Sequence, residues 1–278
     1  MNNLKKEHPT LMNNIRLIAT DMDHTLLTED GKLPPKIGDY IQRLHNVGVQ
    51  FTIASGRPIY TLQRLFEKEK NELAYICDNG GAVYVHGKNV YKALIPVADY
   101  HEMIRFTDKT VDGHPIVCGL DAAYIPKADA RFLPFYKTFY ANVIQVDDLS
   151  TVTTEANKFT IYFPKNNSQD QYDQVFAPRF ADRYSVVVSD ANWIDIMNPG
   201  VNKGQGMRQL GAKLGVHTDQ MMAFGATFND AEMLQTVKYG YRVANANPGI
   251  YQYADYVTGS NDDYGVLQVL DQVLAAHA

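Results

Sequence analysis

Asp21 and Asp23 stand two residues apart where a short, mostly apolar run, residues 15–20 (Ile-Arg-Leu-Ile-Ala-Thr), comes to its end. A run of this kind reads as a buried strand. In an open α/β sheet, ligands bind at the carboxyl ends of the strands. Unpaired carboxylates placed there are costly to bury, so they face solvent, a metal ion or a substrate. One acid able to attack and one able to shuttle a proton are what a covalent hydrolase requires. Alone, the pair also suits a simple turn, where aspartate is common. The rest of the chain separates the two readings.

Three further sites fall at comparable positions. Ser55-Gly56-Arg57 follows a strand read at 49–54, and Lys203 opens a helix after residues 198–202 (Asn-Pro-Gly-Val-Asn). Residues 225–230, Gly-Ala-Thr-Phe-Asn-Asp, follow a strand read at 221–224. Each has an ordinary structural reading: Ser55 as a cap ahead of Pro58, Lys203 as solvated surface, Asn229 and Asp230 as helix caps. Four such sites in order, each at a strand end or a helix start, are hard to obtain by chance. Together they supply the parts for phosphoryl transfer, where catalysis is mostly positioning and charge neutralisation. A carboxylate can form an acyl phosphate that water then breaks. A hydroxyl and the N–H groups of a helix start can hold phosphoryl oxygens, and a lysine can offset charge. A hard divalent ion, Mg²⁺, takes oxygen ligands and would bridge carboxylate and phosphate.

These sites need a scaffold, and the patterning describes one. Residues 39–47 read as a helix with Ile41, Leu44 and Val47 on one face, broken by Gly48. A strand at 49–54, a helix at 58–70 with Pro58 in its first turn and a strand at 74–77 follow. This βαβαβ order predicts a parallel sheet with right-handed crossovers. After Asn79-Gly80-Gly81 the texture changes. Residues 82–90 read as a hairpin around 86–89, and the stretch 94–189 is rich in Tyr and Phe, with strands at 158–163 and 184–188. After Trp193 the α/β rhythm returns, with strands at 221–224, 241–244 and 256–257 and helices at 203–214 and 231–237. The expected fold is α/β: a Rossmann-like parallel-sheet core built from 1–92 and 191–278, split by an inserted α+β domain at 93–190.

Bulk properties bound the partners. The 278 residues are 45% hydrophobic and carry a formal charge of −5, from 26 basic and 31 acidic residues. No basic block stands out, which argues against a nucleic-acid footprint. Cys77 and Cys118 lie far apart and suggest a reduced, cytoplasmic setting. Residues 1–10 are polar and lack the apolar segment of a signal peptide. No run approaches the length of a membrane span. Either a monomer or a homodimer fits.

The ordered set resembles the haloacid dehalogenase superfamily of phosphohydrolases, and within it the Cof-type branch with a type IIB cap. The likeness runs over nearly the whole chain from Ile15. It is carried by Asp21-Met22-Asp23-His24-Thr25, by Ser55, by the Asn79-Gly80-Gly81 turn, by Gly200-Val201-Asn202-Lys203-Gly204 and by the closing Asp263-Tyr264-Gly265-Val266. The resemblance implies that Asp21 is the nucleophile and a metal ligand. It makes Asp23 the general acid/base, giving its main-chain carbonyl to the ion. Ser55 would bond the phosphoryl group, and Lys203 would neutralise charge. Thr25, Gly56, Arg57, Asn79, Gly80 and Asn229 are expected around the phosphate and substrate, and Asp21, Asp23 and Asp230 around Mg²⁺. The cap would close over the site and select a small phosphorylated metabolite, sugar phosphates among the candidates.

One position departs from the resemblance. The family's fourth motif carries an acid where this chain has Ala226, and a methyl group binds no Mg²⁺. Water could replace that oxygen, with Asp230 acting directly or through water. His24, where Gly is common, is a milder departure. The alternative to an active phosphatase is therefore an impaired, phosphate-ligand-binding or regulatory protein on the same fold. A receiver-type phosphoacceptor also combines Asp, Ser/Thr, Lys and Mg²⁺, but such a domain is much shorter, and the insertion after Gly81 argues against it. The aromatic run 132–136 with Phe139 and Tyr140 reads as cap core, and the facing of Arg131 and Lys137 stays open.

Overall fold

A computed structural model describes residues 12–110 and 112–278, so the polar lead at 1–10 lies outside the described residues. Five strands come first: β1 (Leu17–Asp21), β2 (Gln50–Ala54), β3 (Ala74–Cys77), β4 (Ala82–Val85) and β5 (Lys88–Lys92). Six follow: β6 (His114–Gly119), β7 (Ala123–Pro126), β8 (Val143–Val146), β9 (Ala156–Tyr162), β10 (Ser185–Asp190) and β11 (Trp193–Met197). The last are β12 (Met221–Gly225), β13 (Tyr239–Arg242) and β14 (Tyr256–Val257). The helices are α1 (Ile37–Asn46), α2 (Ile59–Leu65), α3 (Val97–Thr110), α4 (Leu133–Phe139), α5 (Ser168–Gln171), α6 (Ala177–Phe180), α7 (Lys203–Leu214), α8 (Ala231–Thr236) and α9 (Gly265–Ala276).

Contacts divide the chain into two units. One holds the described residues up to Gly56, Phe66–Tyr91 and Asn202–Ala278; the other holds Arg57–Leu65 and Lys92–Val201. The first contains a sheet in the order β14-β13-β12-β1-β2-β3-β4-β5. Pairing is parallel from β14 to β3, and β4 returns antiparallel. Every residue of β1 is buried, as a parallel strand covered on both faces requires. Asp21 is level with Ala54, and Thr20 with Phe224. The turns that follow β1, β2 and β12 therefore leave one end of the sheet side by side. This α/β core is the architecture expected from the sequence. Helix α2 stops at Leu65, short of the expected 70. The charged stretch 67–72 gives no apolar face to bury and continues as turns, with Glu69 N–H donating to Phe66 O and Glu72 N–H to Glu69 O.

The second unit holds a six-stranded sheet, β10-β11-β9-β6-β7-β8. It is antiparallel except for the β7–β8 pair. This corrects the boundary expected at 190/191. Residues 193–197 form strand β11 of this sheet, with Ile194 opposite Ile161 and Ile196 opposite Phe159, so the chain returns to the first unit at Asn202. A short apolar strand reads alike in either domain; only its partners assign it. On one face Ile194, Ile196, Phe159 and Ile161 pack with Phe176 and Phe180. On the other, Trp193, Tyr136, Tyr140 and Tyr162 form an aromatic cluster with Phe132, Phe135 and Phe139, where the aromatic run was expected. Arg131 lies over the Phe132 ring at 4.6 Å and Lys137 is exposed. Helix α2 belongs here because Thr61 Oγ1 donates to Phe139 O at 3.0 Å and accepts from Ala141 N at 3.0 Å. No helix among the described residues is long and apolar enough to cross a membrane.

Candidate active site

Asp21 is the last residue of β1 and is buried. The chain then turns through residues 22–26, with Asp23 extended at φ −72°, ψ 131° and His24 left-handed at φ 59°, ψ 6°. A left-handed residue at this point explains why the resemblance favours glycine there; histidine tolerates the region better than branched residues do. The His24 side chain is exposed, with Nδ1 3.3 Å from Glu29 Oε2, and its carbonyl accepts from Asn245 Nδ2 at 2.9 Å.

Lys203 is the first residue of α7 and is fully buried. Its Nζ donates to Asp21 Oδ1 at 2.6 Å and to Asp230 Oδ1 at 2.7 Å. Thr25 Oγ1 donates to Asp21 Oδ2 at 3.0 Å. Asp230, with no exposed surface, turns its second oxygen to the N–H groups of Ala226 and Thr227 at 2.9 and 3.0 Å. Gly225 permits that close fold-back, since a Cβ there would lie 2.5 Å from the Asp230 Cβ. Asp21, Thr25, Lys203 and Asp230 thus form one buried ionic cluster. Buried ions are retained only where hydrogen bonds satisfy them, and both oxygens of each carboxylate here are engaged.

Charge and burial set the proton affinities. Burial first, then the Asp230 charge, push the Asp21 carboxyl from 3.8 up to about 7, against the opposing pull of Lys203 and with a small further push from Asp23. Burial works against the Lys203 ammonium, but the two carboxylates more than offset it and hold its pKa above the ordinary lysine value.

A second group surrounds this cluster. Ser55 is buried directly after β2, and its carbonyl accepts from Asn79 N at 3.0 Å. Asn79 Oδ1 accepts from Asn229 Nδ2 at 3.1 Å, and the Asn79 amide lies 3.3 Å from where a Cβ on Gly56 would stand. Asn79 therefore ties together the turns after β2, β3 and β12. Gly80 has φ +98°, and a Cβ there would come 2.2 Å from Asn202 O. Both the left-handed backbone and the contact exclude a side chain. Gly80→Ala is expected to lower unfolding stability by about 2 kcal/mol or more, measured by urea denaturation; a loss under half that would mean the turn relaxes freely. Asp23 is half-buried at the rim of the cluster. Arg57 groups with the second unit.

Three asparagines escaped sequence reading. Asn245 holds the His24 carbonyl, while Asn261 bonds Asn245 Oδ1 through its N–H at 3.0 Å and Leu27 O through its side chain at 2.9 Å. They clamp the turn that carries Asp23, and loop asparagines give no periodic signal. Asn202 caps α7, its Oδ1 accepting from Gln205 N at 2.8 Å; an Asn just before a helical run is a readable cap.

The donor set bears on magnesium. Position 226 presents a buried methyl group, and Asp230 is committed to Lys203 and two N–H groups. Among the described residues, no group of three or more His, Cys, Asp or Glu side chains is arranged to hold a metal ion. These residues do not fit an ion held by three carboxylates.

Comparison with known proteins identifies the family. The family model of the haloacid dehalogenase-like hydrolases matches residues 18–270. A 5-amino-6-(5-phospho-D-ribitylamino)uracil phosphatase of Escherichia coli is 29% identical over 267 residues, covering 95% of this chain and 98% of that protein. A solved structure from Streptococcus mutans superposes with a TM-score of 0.83 at 26% identity, over 94% of this chain and 99% of the other. A subclass IIB sugar phosphatase of the same superfamily shares the fold, with a TM-score of 0.75 at 21% identity, over 92% of this chain and 98% of the other. The chain belongs to the haloacid dehalogenase-like hydrolases.

Proposed function

We propose that this chain hydrolyses phosphate monoesters of small metabolites through an acyl phosphate on Asp21. The observation that carries the reading is the fully buried Lys203 ammonium held between Asp21 and Asp230 at the carboxyl end of β1. Thr25 and Lys203 fix one Asp21 carboxylate orientation, which makes attack on phosphorus directional. In the first step the Asp21 carboxylate attacks phosphorus, the ester P–O bond breaks, and protonated Asp23 gives its proton to the leaving oxygen. In the second, water passes a proton to Asp23 and attacks the acyl phosphate, releasing phosphate and restoring Asp21. Asp23 suits proton transfer because its extended, half-buried position lies outside the Lys203 cluster. Ser55 would hold a phosphoryl oxygen, while Lys203 would offset the charge that accumulates. Gly56, Asn79, Gly80 and Asn229 shape the surrounding backbone, and Arg57 is a further phosphate-binding candidate. Asp21 and the Asp23 carbonyl would hold a magnesium ion, which would supply charge neutralisation when bound.

The substrate class follows from the curated relative that acts on a phosphorylated ribityl compound. A phosphorylated polyol or sugar is the inferred class, with the inserted unit acting as the cap that selects it. Cys77 and Cys118, both buried free thiols, suit the reduced cytoplasm. Release of phosphate from p-nitrophenyl phosphate and a panel of sugar and polyol phosphates, with added Mg²⁺, tests the reading. Ser55→Ala is expected to reduce kcat/KM by about 10- to 100-fold, the worth of one hydrogen bond to a charged group. A chain silent across the whole panel sinks the proposal. A second reading, binding without turnover, is favoured by Ala226 alone; it predicts phosphate binding with no release from any substrate.

A further inference from the structure

We infer that this chain binds a small multivalent oxyanion, a metabolite with two or more carboxylate or phosphate groups, in a cavity at the end of the first unit's sheet opposite Asp21. The site stands apart from the phosphoryl chemistry proposed above.

The cavity measures about 440 Å³, within the range of small-molecule pockets. Arg16, just before β1, lines it together with Gln50 at the start of β2 and Gln220 just before β12. His45 comes from the last turn of α1, and Gly215 from the end of α7. Strand β4 runs antiparallel, which brings His86 after it to the same end. At about 3.3 Å per residue, β1 separates the cavity from Asp21 by about 17 Å. Arg16, His45 and His86 are exposed, so a ligand can reach them.

Three observations carry the inference. First, none of the described residues lining the cavity is acidic, although the chain has a net charge of −5. Second, Arg16 is pinned without a carboxylate. Its Nη1 donates to the carbonyls of Asn13 and Ile15 at 3.2 and 3.0 Å and lies 3.0 Å from His277 Nε2. A guanidinium held by main-chain carbonyls keeps N–H groups in a fork that matches carboxylate and phosphate oxygens. Third, main-chain acceptors of the wall are spent. The carbonyls of Leu44 and His45 take the N–H groups of Val49 and Gly48 at 2.9 and 3.0 Å, and those of Arg16 and Gln220 take the N–H groups of Gln50 and Arg16, both at 2.9 Å. Donors remain. Gln220 uses only Oε1, on His217 N–H at 3.3 Å, and His86 uses only Nδ1, at 2.8 Å from Asn71 O.

Basic side chains also gather at helix C-termini to complement the dipole. That accounts for His45 at the end of α1, but Arg16 and His86 stand beside strands. A cationic ligand would meet the guanidinium and find no carboxylate, and an apolar one would strip water from it without a partner. An oxyanion satisfies the donors that the wall leaves over.

The test is calorimetric titration of the full chain, in metal-free buffer, with citrate and separately with inorganic pyrophosphate. The two arms tell a carboxylate ligand from a phosphate one. Saturable binding of at least one is expected, weakened by about tenfold or more in Arg16→Gln, the worth of a hydrogen bond between charged groups. Ser55→Ala, altered at the proposed phosphoryl site, is expected to bind that anion as the parent does. Should Arg16→Gln lose its fold, Gln220→Glu carries the comparison: it keeps an acceptor for His217 N–H, adds a negative charge to the wall and is expected to weaken binding by about two- to fivefold. Absence of binding by both anions at millimolar concentration overturns the inference. Binding unchanged in the folded cavity variant, or lost in Ser55→Ala, overturns it as well.

Discussion

Asp21→Asn is expected to abolish phosphate release, lowering kcat by roughly a thousandfold or more, while leaving the protein as stable as before or more so. The loss follows from chemistry: an amide cannot form the acyl phosphate, and nothing else in the buried cluster is free to replace it. Lys203 is cationic and Asp230 has both oxygens engaged. The stability half follows from the electrostatics. Burial and the Asp230 charge raise the Asp21 carboxyl from 3.8 to about 7. An acid with a raised pKa in the folded state favours folding below its unfolded pKa, and that contribution is lost as pH rises through the folded value. Between about pH 4 and pH 7 the parent therefore loses stability at this residue, and above pH 7 it carries the cost of an ionised, buried Asp21. Asparagine keeps the shape and the Thr25 contact region without that charge. Thermal unfolding at pH 8 should place Asp21→Asn at or above the parent, the pattern expected where function is held against stability. Activity within tenfold of the parent would remove Asp21 from the nucleophile's role. A large drop in melting temperature with lost activity would make the residue structural instead.

How far the sequence announced all this depends on the kind of signal. Strands β1, β2, β3 and β12 were legible because buried parallel strands are short apolar runs with sharp punctuation: Gly48 before β2, Asn79-Gly80-Gly81 after β3, Gly225 at the end of β12. Helix α7 was legible over 203–214, and Gly215, whose φ of +68° suits a helix C-terminus, ends it. What failed was partnership. Residues 193–197 look like any apolar strand, and only pairing with β9 and β10 assigns them to the inserted unit. Strands β6, β7 and β8 were hidden by their shortness and by Pro115, Gly119 and Pro126, which interrupt the apolar runs. At the site, Asp21, Lys203 and Asp230 were readable because each stands at the punctuation of an element. Their mutual arrangement was not, since residues 182 positions apart meet only through the sheet order. Asp230 was expected as a metal ligand, and the structure shows it bonded to Lys203 and to the 226–227 backbone. Asn245 and Asn261 left no trace in the sequence because loop residues that clamp a turn obey no period.

Lys203→Met is expected to destabilise the fold by about 3–5 kcal/mol at pH 8, to lose most of that deficit by pH 5, and to eliminate activity at both. Methionine comes close to the lysine stem in length and packs without strain, so the change removes the charge more than the volume. What remains is Asp21 and Asp230, buried, each having lost the ammonium that stood 2.6 and 2.7 Å away. Lys203 is what pulls the Asp21 carboxyl down against burial and the neighbouring charge. Without it the carboxyl rises further, and two like charges sharing a dry site resist ionising together. The sign is then fixed: an acid raised in the folded state loses stability as pH rises, so the variant's deficit must grow from pH 5 to pH 8. Adding Asp230→Asn separates the lysine's two tasks. Lys203→Met with Asp230→Asn has one buried carboxylate fewer and should regain part of the stability at pH 8. It regains no activity, because the charge beside Asp21 and the phosphoryl group is still missing. Melting curves at the two pH values, with phosphate release alongside, decide the matter. A deficit of equal size at pH 5 and pH 8 would mean that Lys203 acts through packing, and the ionic cluster would lose its place at the centre of the reaction.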